Sequence, residues 1–201
     1  MECPRCHGAK KELPALVNEC ALCLGMGTID DCQLSPHFKY SELVASSHKN
    51  FANDPNASQI GNLRALCQEL LEPVRNAVGP MRVTSGYRSQ NLDAFVAGPP
   101  FDRQLSGHSI GAAADVQPLA TGVTLKTIMD WVAFIGGLKF DQAIIEGGCV
   151  HLAIYAPYGS DRQRRQCFVR MVNPGRQDDP HAIPFIYARY SGSPEQMALI
   201  A

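Results

Sequence analysis

The sequence predicts a globular chain that combines amphipathic helices with short buried strands. Two stretches carry apolar residues at spacings of three and four, which indicates helices with one buried face. A third stretch, FDQAIIEGGCVHLAIY, places two apolar-rich runs on either side of Gly147 and Gly148, which predicts a β-hairpin. The chain has 201 residues, of which 45% are hydrophobic. This suffices for one domain with a substantial core and an appendage.

The composition argues against several classes of function. Lys and Arg number 18 against 19 Asp and Glu, so the net charge does not favour nucleic acid or an anionic membrane as the main partner. No apolar run reaches the ~18 residues of a membrane span. The opening MECPRCHGAK lacks the apolar core of a signal peptide. We therefore expect synthesis in the cytoplasm, without a signal peptide or a membrane span.

Four of the eight cysteines form two CxxC pairs near the start of the chain. Cys3 and Cys6 form the first pair, and Cys20 and Cys23 form the second. Four thiolates at this spacing predict a closed structural zinc site, with a redox or disulfide pair as the alternative. The pairs resemble the CxxCxGxG repeat of DnaJ-type zinc fingers. This resemblance implies a small zinc-binding module over residues 1–32.

Two helices are predicted in the body of the chain by their apolar periodicity. The inward face of the first comprises Ile60, Leu63, Cys67, Leu70 and Val74. The inward face of the second comprises Leu125, Ile128, Met129, Val132 and Ile135. We expect Pro73 to kink the first helix, Thr124 to cap the second, and Ser41 to cap a shorter helix before them. The segment 94–104, which contains Gly-Pro-Pro, is predicted to be a loop.

The stretch SGHSIGAAADV sets His108 seven positions before Asp115. Gly111 and the alanines that follow it predict a turn that leads into a short buried strand ending at Pro118. In that geometry the imidazole lies on the turn, the carboxylate lies on the strand, and the two converge. Imidazole and carboxylate suit an open catalytic zinc site with three protein ligands. A polar turn before a core strand is the alternative.

The predicted hairpin supplies a third ligand. With a two-residue turn, Glu146 pairs with Cys149 and Ile144 pairs with His151, so Glu146 and His151 lie diagonally on one face. The opposite face, assigned to the core, comprises Ala143, Ile145, Val150 and Leu152. A carboxylate beside a histidine ligand can act as a general base toward water at the metal. We predict that His151 is a ligand and Glu146 the base; a satisfied, half-buried His151 is the alternative.

From about Leu34 to Arg170 the sequence resembles the zinc DD-carboxypeptidases and related phage endolysins, which cut the stem peptides of peptidoglycan. The segments that carry this resemblance are LSPHFKYSEL, NLRALCQELLEPVR, SGYRS, SGHSIGAAADV, FDQAIIE, VHL and RRQ. The resemblance implies an α+β fold in which helices pack on an antiparallel sheet, as in the Hedgehog/DD-peptidase class.

The resemblance also implies roles for single residues. The implied ligands of the catalytic zinc are His108, Asp115 and His151. Arg88 would hold or polarise the substrate, and Ser106 would lie near the metal. Many relatives place the catalytic glutamate three residues before the last histidine, where this chain has Gly148. Asp141 is therefore an alternative to Glu146 as the base, although a structural role for Asp141 at the entry to the hairpin is favoured.

The expected protein is a monomeric zinc metallopeptidase that acts on peptidoglycan stem peptides and holds one catalytic and one structural zinc. Residues 33–172 would form the peptidase domain, and residues 173–201 an extension that adds a strand or a packing tail. If the protein is phage-derived, we expect it to reach the cell wall by lysis, through a holin or in a virion. The rival expectation is a non-catalytic, zinc-containing module that binds cell wall or protein.

Overall fold

A computed structural model of the chain describes residues 2–3, 32–97, 106–156, 163–172 and 185–198. The strands are β1 (Gln33–Ser35), β2 (Phe38–Lys39), β3 (Met81–Ser85), β4 (Ala113–Pro118), β5 (Gln142–Glu146), β6 (Cys149–Ala153), β7 (Gln166–Val172) and β8 (Phe185–Arg189). The α-helices are α1 (Tyr40–Val44), α2 (Ala57–Leu66), α3 (Glu72–Val78), α4 (Gln90–Ala97), α5 (Leu125–Asp130) and α6 (Pro194–Ala198). Within these ranges the chain has an α+β fold.

The described strands form a two-stranded sheet, β1-β2, and a six-stranded sheet in the order β3-β4-β6-β5-β7-β8. The larger sheet is mixed, so the expectation of an antiparallel sheet was wrong at one pair: β5 and β7 run parallel. The reason is topological. Strand β6 ends opposite Gln142, where β5 begins, and β7 begins beside the same residue on the far side of β5, so β7 runs in the direction of β5. Strand β8 adds an antiparallel edge strand from the C-terminal segment.

The first predicted helix runs through α2, a π-helical turn at Cys67–Leu71 and α3. The residues of its predicted inward face are all buried, namely Ile60, Leu63, Cys67, Leu70 and Val74. The wide turn lies just before Pro73, which lacks an N–H and crowds the preceding turn. There the Glu72 N–H donates to the Cys67 carbonyl, five residues back. The helix ends at Gly79, whose φ of 97° favours glycine.

Helix α5 begins where the sequence predicted, because the Thr124 side chain accepts a hydrogen bond from the Thr127 N–H at 3.2 Å. Ile128 and Met129 of α5 are fully buried, as is Val132 in the π-helical turn that follows. Ile135 was predicted to face inward, but its side chain is 70% exposed. The π-helical turn at Trp131–Ile135 shifts the phase of the helix, so the three- and four-residue spacing no longer holds at its end.

Two other local predictions were wrong. Helix α1 begins after Lys39, whose N–H donates to the Glu42 carboxylate at 2.8 Å, and not at a Ser41 cap. Residues 94–97 belong to helix α4 and not to a loop. The rest of the predicted loop, residues 98–104, lies outside the described residues.

The β5–β6 hairpin has the predicted register. Glu146 pairs with Cys149 and Ile144 with His151 around a turn in which Gly147 and Gly148 have φ of 52° and 83°. Both values lie in the left-handed region that such a turn requires. The four residues assigned to the core, namely Ala143, Ile145, Val150 and Leu152, are all fully buried. The opposite face of the sheet therefore carries His151 and Glu146, as the alternation predicts.

Of the four cysteines predicted to bind a structural zinc, only Cys3 lies within the described residues. Its side chain is fully buried and belongs to the main hydrophobic core, together with Cys32. Cys6, Cys20 and Cys23 lie outside the described residues, so the zinc module at residues 1–32 stays a prediction. Among the described helices, none combines the length and the apolar character needed to cross a membrane.

Candidate metal centre

Three side chains converge where strands β4 and β6 meet the turn that precedes β4. Asp115 and His151 are direct partners in the antiparallel ladder, so their side chains lie on one face of the sheet. His108 approaches from the turn, as the SGHSIGAAADV stretch predicted. Its Nε2 lies 3.3 Å from Asp115 Oδ1 and 3.2 Å from His151 Nδ1, and the last two atoms are 2.9 Å apart. The atoms form a nearly equilateral triangle.

The other ring nitrogen of His108 determines what this triangle can bind. Its Nδ1 lies 2.7 Å from the Gly86 carbonyl oxygen. A carbonyl only accepts hydrogen bonds, so Nδ1 carries the hydrogen. A neutral His108 then turns the lone pair of Nε2 toward the Asp115 carboxylate. Two acceptors at this distance repel each other unless a cation lies between them, either a proton or a metal ion.

The triangle fits one face of a zinc tetrahedron. Zinc binds imidazole nitrogen and carboxylate oxygen at 2.0–2.2 Å, so tetrahedral ligands lie about 3.3 Å apart. The three distances between the ligand atoms are 3.3, 3.2 and 2.9 Å. Two imidazoles and one carboxylate leave the fourth position open, which is typical of catalytic rather than structural zinc sites. The donor atoms and their spacing therefore suit a zinc ion.

The electrostatics of the triangle keep Asp115 ionised. Burial raises the pKa of the Asp115 carboxyl, but when the ring nitrogens that face it carry protons, hydrogen bonds from His108 and His151 and their charges outweigh burial and hold the pKa well below its usual range. The side chains of His108, Asp115 and His151 are only 5%, 10% and 12% exposed. An ionised carboxylate in such a sheltered position is a strong ligand for a cation.

Arg88 lies behind Asp115 and fixes its orientation. The Nη2 atom of Arg88 lies 2.7 Å from Asp115 Oδ2, while Nε donates to Ser85 Oγ at 2.8 Å. Nη1 is 3.6 Å from an oxygen of Asp93. Because Arg88 engages Oδ2, the other carboxylate oxygen faces the two histidines. The sequence singled out Arg88, but it gave no indication of Ser85, Asp93 or the Gly86 carbonyl as supporting groups.

Glu146 shares the sheet face of His151 but lies outside the triangle. Its Oε2 atom is 3.1 Å from Nη1 of Arg170, on the neighbouring strand β7. The Arg170 guanidinium in turn lies 4.5 Å from the centre of the Phe185 ring on β8. Sequence reasoning missed Arg170, because its contact with Glu146 depends on the parallel pairing of β5 with β7.

Asp141 is engaged elsewhere. Its carboxylate accepts hydrogen bonds from Nε and Nη2 of Arg164, at 2.8 and 2.6 Å, in a two-pronged pair. Its backbone carbonyl accepts the N–H of Gln166 at 3.0 Å. These bonds tie the start of β5 to the start of β7, which is the structural role favoured from the sequence.

Ser106 closes the turn that carries His108. Its carbonyl accepts from the Ser109 N–H at 3.1 Å and from the Ser109 hydroxyl at 3.0 Å. The Ala112 N–H donates to Gly107 O at 2.7 Å and completes the turn. Ser106 thus helps to place the imidazole of His108.

No protein-family model matches the chain, and no curated protein matches it either. The fold and the site therefore define the protein only as an α+β chain with a His–Asp–His group that could hold a metal ion. Any narrower function has to be argued from the geometry of this group and from the sequence resemblance.

Proposed function

We propose that this chain is a zinc-dependent peptidase that hydrolyses peptide bonds in the stem peptides of peptidoglycan. The observation that carries the proposal is the convergence of His108, Asp115 and His151, with ligand-atom separations that suit zinc and a fourth position left open. The resemblance to zinc DD-carboxypeptidases and phage endolysins supplies the substrate class.

Different residues of the chain would bind the zinc, orient its ligands and bind the substrate. His108, Asp115 and His151 would hold the zinc, which when bound acts as a Lewis acid and lowers the pKa of water. The Gly86 carbonyl fixes the ring orientation of His108, and Arg88 fixes that of Asp115. Through remaining N–H groups, Arg88 would also bind the scissile carbonyl.

Glu146 is the proposed general base. It would accept a proton from the attacking water and return it to the leaving amine. Its position on the sheet face of His151 favours this role over Asp141, whose carboxylate is held by Arg164. The contact of Glu146 Oε2 with Arg170 Nη1, at 3.1 Å, fixes the direction of the carboxylate.

A second candidate is a module that retains zinc and binds cell wall without turnover. The Glu146–Arg170 ion pair favours it, because a carboxylate committed to an arginine is less available to take a proton. The two candidates differ in one measurable property, the release of new amino groups from the substrate.

The test is digestion of purified cell walls and soluble muropeptides by the full chain. We expect about two zinc ions per chain by metal analysis, one of them in the cysteine set. New amino groups should appear on incubation, and mass spectrometry of the products identifies the bond that is cut. Mild chelation should abolish the reaction, and added zinc should restore it. A zinc-loaded protein that binds walls but frees no amino groups would establish the binding module instead.

A further inference from the structure

A cleft of about 610 Å³ lies between residues 50–59 and the start of helix α4. This volume is within the usual range of small-molecule sites, roughly 300–1,000 Å³. Tyr87 and Ser89 line the cleft and flank Arg88, which holds Asp115. Gln59, also in the lining, donates to the Ser109 carbonyl beside His108, so the cleft is connected to the metal centre through Arg88 and the turn that carries His108. We call it the polar cleft.

The walls of the polar cleft are held together before any ligand binds. The side-chain amide of Asn53 donates to the carbonyls of Val44 and Tyr87, both at 2.9 Å, and its oxygen accepts from the Ser89 N–H at 2.7 Å. Gln59, which lines the cleft, donates to the Ser109 carbonyl at 2.9 Å on the turn that carries His108. A preformed shape reduces the entropy lost on binding.

The lining of the polar cleft favours a neutral, polar ligand. Asp54 is the one charged side chain among the described residues that line it. The amide side chains of the lining belong to Asn50, Asn56, Gln59, Gln90 and Asn91. Asn56 and Gln59 each accept the other's backbone N–H at the start of α2. The amides of Asn50, Gln90 and Asn91 both donate and accept, so together they match groups that do the same, such as sugar hydroxyls and acetamido groups. An anionic ligand would find no lysine, arginine or histidine in this lining.

Two further features point to a ring-shaped ligand with hydroxyls. Phe51 lines the cleft and packs against Phe95, with ring centres 5.1 Å apart, and Phe95 is 54% exposed. The aromatic ring of Phe51 in the lining suits the C–H face of a sugar ring. The Ser89 hydroxyl is buried and makes no hydrogen bond within the described residues. Rotation of the Ser89 side chain toward the cleft would give this hydroxyl a partner on a bound ligand.

We infer that the polar cleft binds an N-acetylhexosamine of the glycan strand and so positions the attached stem peptide at the metal centre. The identity of the glycan rests on the proposed function, whereas the preference for a neutral sugar rests on the lining alone. A sugar subsite beside the peptide-cutting site would let the protein discriminate wall-bound stem peptides from free peptides.

Binding is tested by NMR titration of the zinc-loaded full chain with the β-1,4-linked trimer of N-acetylglucosamine. We expect saturable shifts at millimolar sugar in the amide resonances of Phe51 and Asn91. Asn91→Ala, Ser89→Ala and Phe51→Ala should each weaken binding about three- to tenfold, since each removes one hydrogen bond or aromatic contact. Asn76→Ala is the matched control, because Asn76 is an exposed helical asparagine on α3, outside the lining.

Three outcomes would overturn the inference. The first is the absence of shifts at millimolar sugar. The second is equal weakening by Asn91→Ala and Asn76→Ala. The third is the same set of shifts with a sugar-free stem peptide, which would make the cleft a peptide subsite.

Kinetics separate this inference from the proposed function. For the wild type we expect a lower KM for a sugar-bearing muropeptide than for the same stem peptide without sugar, with similar kcat, and a smaller difference in Asn91→Ala. Cleavage of both substrates with equal KM and no sugar binding refutes the sugar subsite alone. Sugar binding without any cleavage refutes the peptidase alone.

Discussion

Two buried aspartates in the region of the large sheet, Asp115 and Asp141, each pair with an arginine. The geometry of the two pairs distinguishes Asp115, a candidate metal ligand, from Asp141, whose ion pair has a structural role. Asp115 meets Arg88 through one oxygen only, Oδ2, at 2.7 Å. Asp141 meets Arg164 through both oxygens, at 2.8 and 2.6 Å. In the first pair one carboxylate oxygen remains directed at other groups, whereas in the second both are occupied.

The surroundings of the two pairs also differ, because the Asp115 pair lies beside two histidines whereas the Asp141 pair is partly exposed to solvent. The remaining oxygen of Asp115 faces His108 and His151, whose ring nitrogens lie within 3.3 Å of it. Arg164 is 52% exposed, so solvent shares the charge of the second pair. Convergent acceptors in a sheltered place require a cation, whereas a two-pronged ion pair at the surface is complete by itself. An aspartate–arginine contact is thus no sign of a site unless a carboxylate oxygen remains available.

The largest expected effect comes from exchanging each aspartate for asparagine. Asp115→Asn should remove zinc from the triangle, lowering the zinc content from about two ions to about one per chain. Peptidase activity should fall about a thousandfold or more, since the metal supplies several kcal/mol of transition-state stabilisation. Asp141→Asn should keep both zinc ions and the activity, but lower the free energy of unfolding by about 1–3 kcal/mol. Metal analysis, muropeptide digestion and urea unfolding measure these quantities. Equal zinc loss in Asp115→Asn and Asp141→Asn would contradict the assignment of Asp115 alone as a metal ligand.

The next largest effect is expected at the proposed base. Glu146→Gln preserves size and removes the proton acceptor, so turnover should fall about 10²–10⁴-fold while zinc remains bound. Asp141→Asn is the control, because it alters a carboxylate that Arg164 occupies. The measurement is kcat on a cleavable stem peptide together with zinc content. A near wild-type rate in Glu146→Gln, with zinc-loaded Asp141→Asn inactive, would move the base to Asp141.

The site elements were predictable where local rules decide the geometry. The Gly147-Gly148 pair specifies a two-residue turn, and that turn fixes which residues of β5 and β6 face each other. Alternation along the strands then places His151 and Glu146 on one face. The turn before β4 was also predictable, because Gly111 and the small residues after it permit a close approach of the backbone. The ligand triangle also requires the pairing of β4 with β6, which sets Asp115 opposite His151 and which these two local features do not specify.

The contact between Glu146 and Arg170 was not predictable, because it depends on the order of the strands in the sheet. Arg170 reaches Glu146 only because β7 skips β6 and pairs with β5 in parallel. No periodic pattern in a single sequence encodes this choice of neighbour. The exposure of Ile135 was missed for a different reason: a π-helical turn changes the helical period that the prediction assumed.

The smallest effects are expected when each arginine is replaced by lysine, which keeps the charge and removes the planar fork. Arg88→Lys should weaken zinc binding at the triangle about 10–100-fold, because an ammonium group cannot reproduce the planar fork that bonds Ser85 Oγ and Asp115 Oδ2 and so no longer fixes the orientation of Asp115. Arg164→Lys should leave zinc affinity unchanged and lower the free energy of unfolding by only about 0.5–1 kcal/mol, since the Arg164 side chain is half exposed. Competition with a chromogenic chelator measures the affinity, and urea unfolding measures the stability.

If Arg88→Lys binds zinc as tightly as the wild type, Arg88 does not position the ligand and its place behind Asp115 is merely structural. If Arg164→Lys weakens zinc binding as well, the two arginine pairs are coupled through the sheet. The distinction between a metal-binding Asp115 and a purely structural Asp141 would then be wrong.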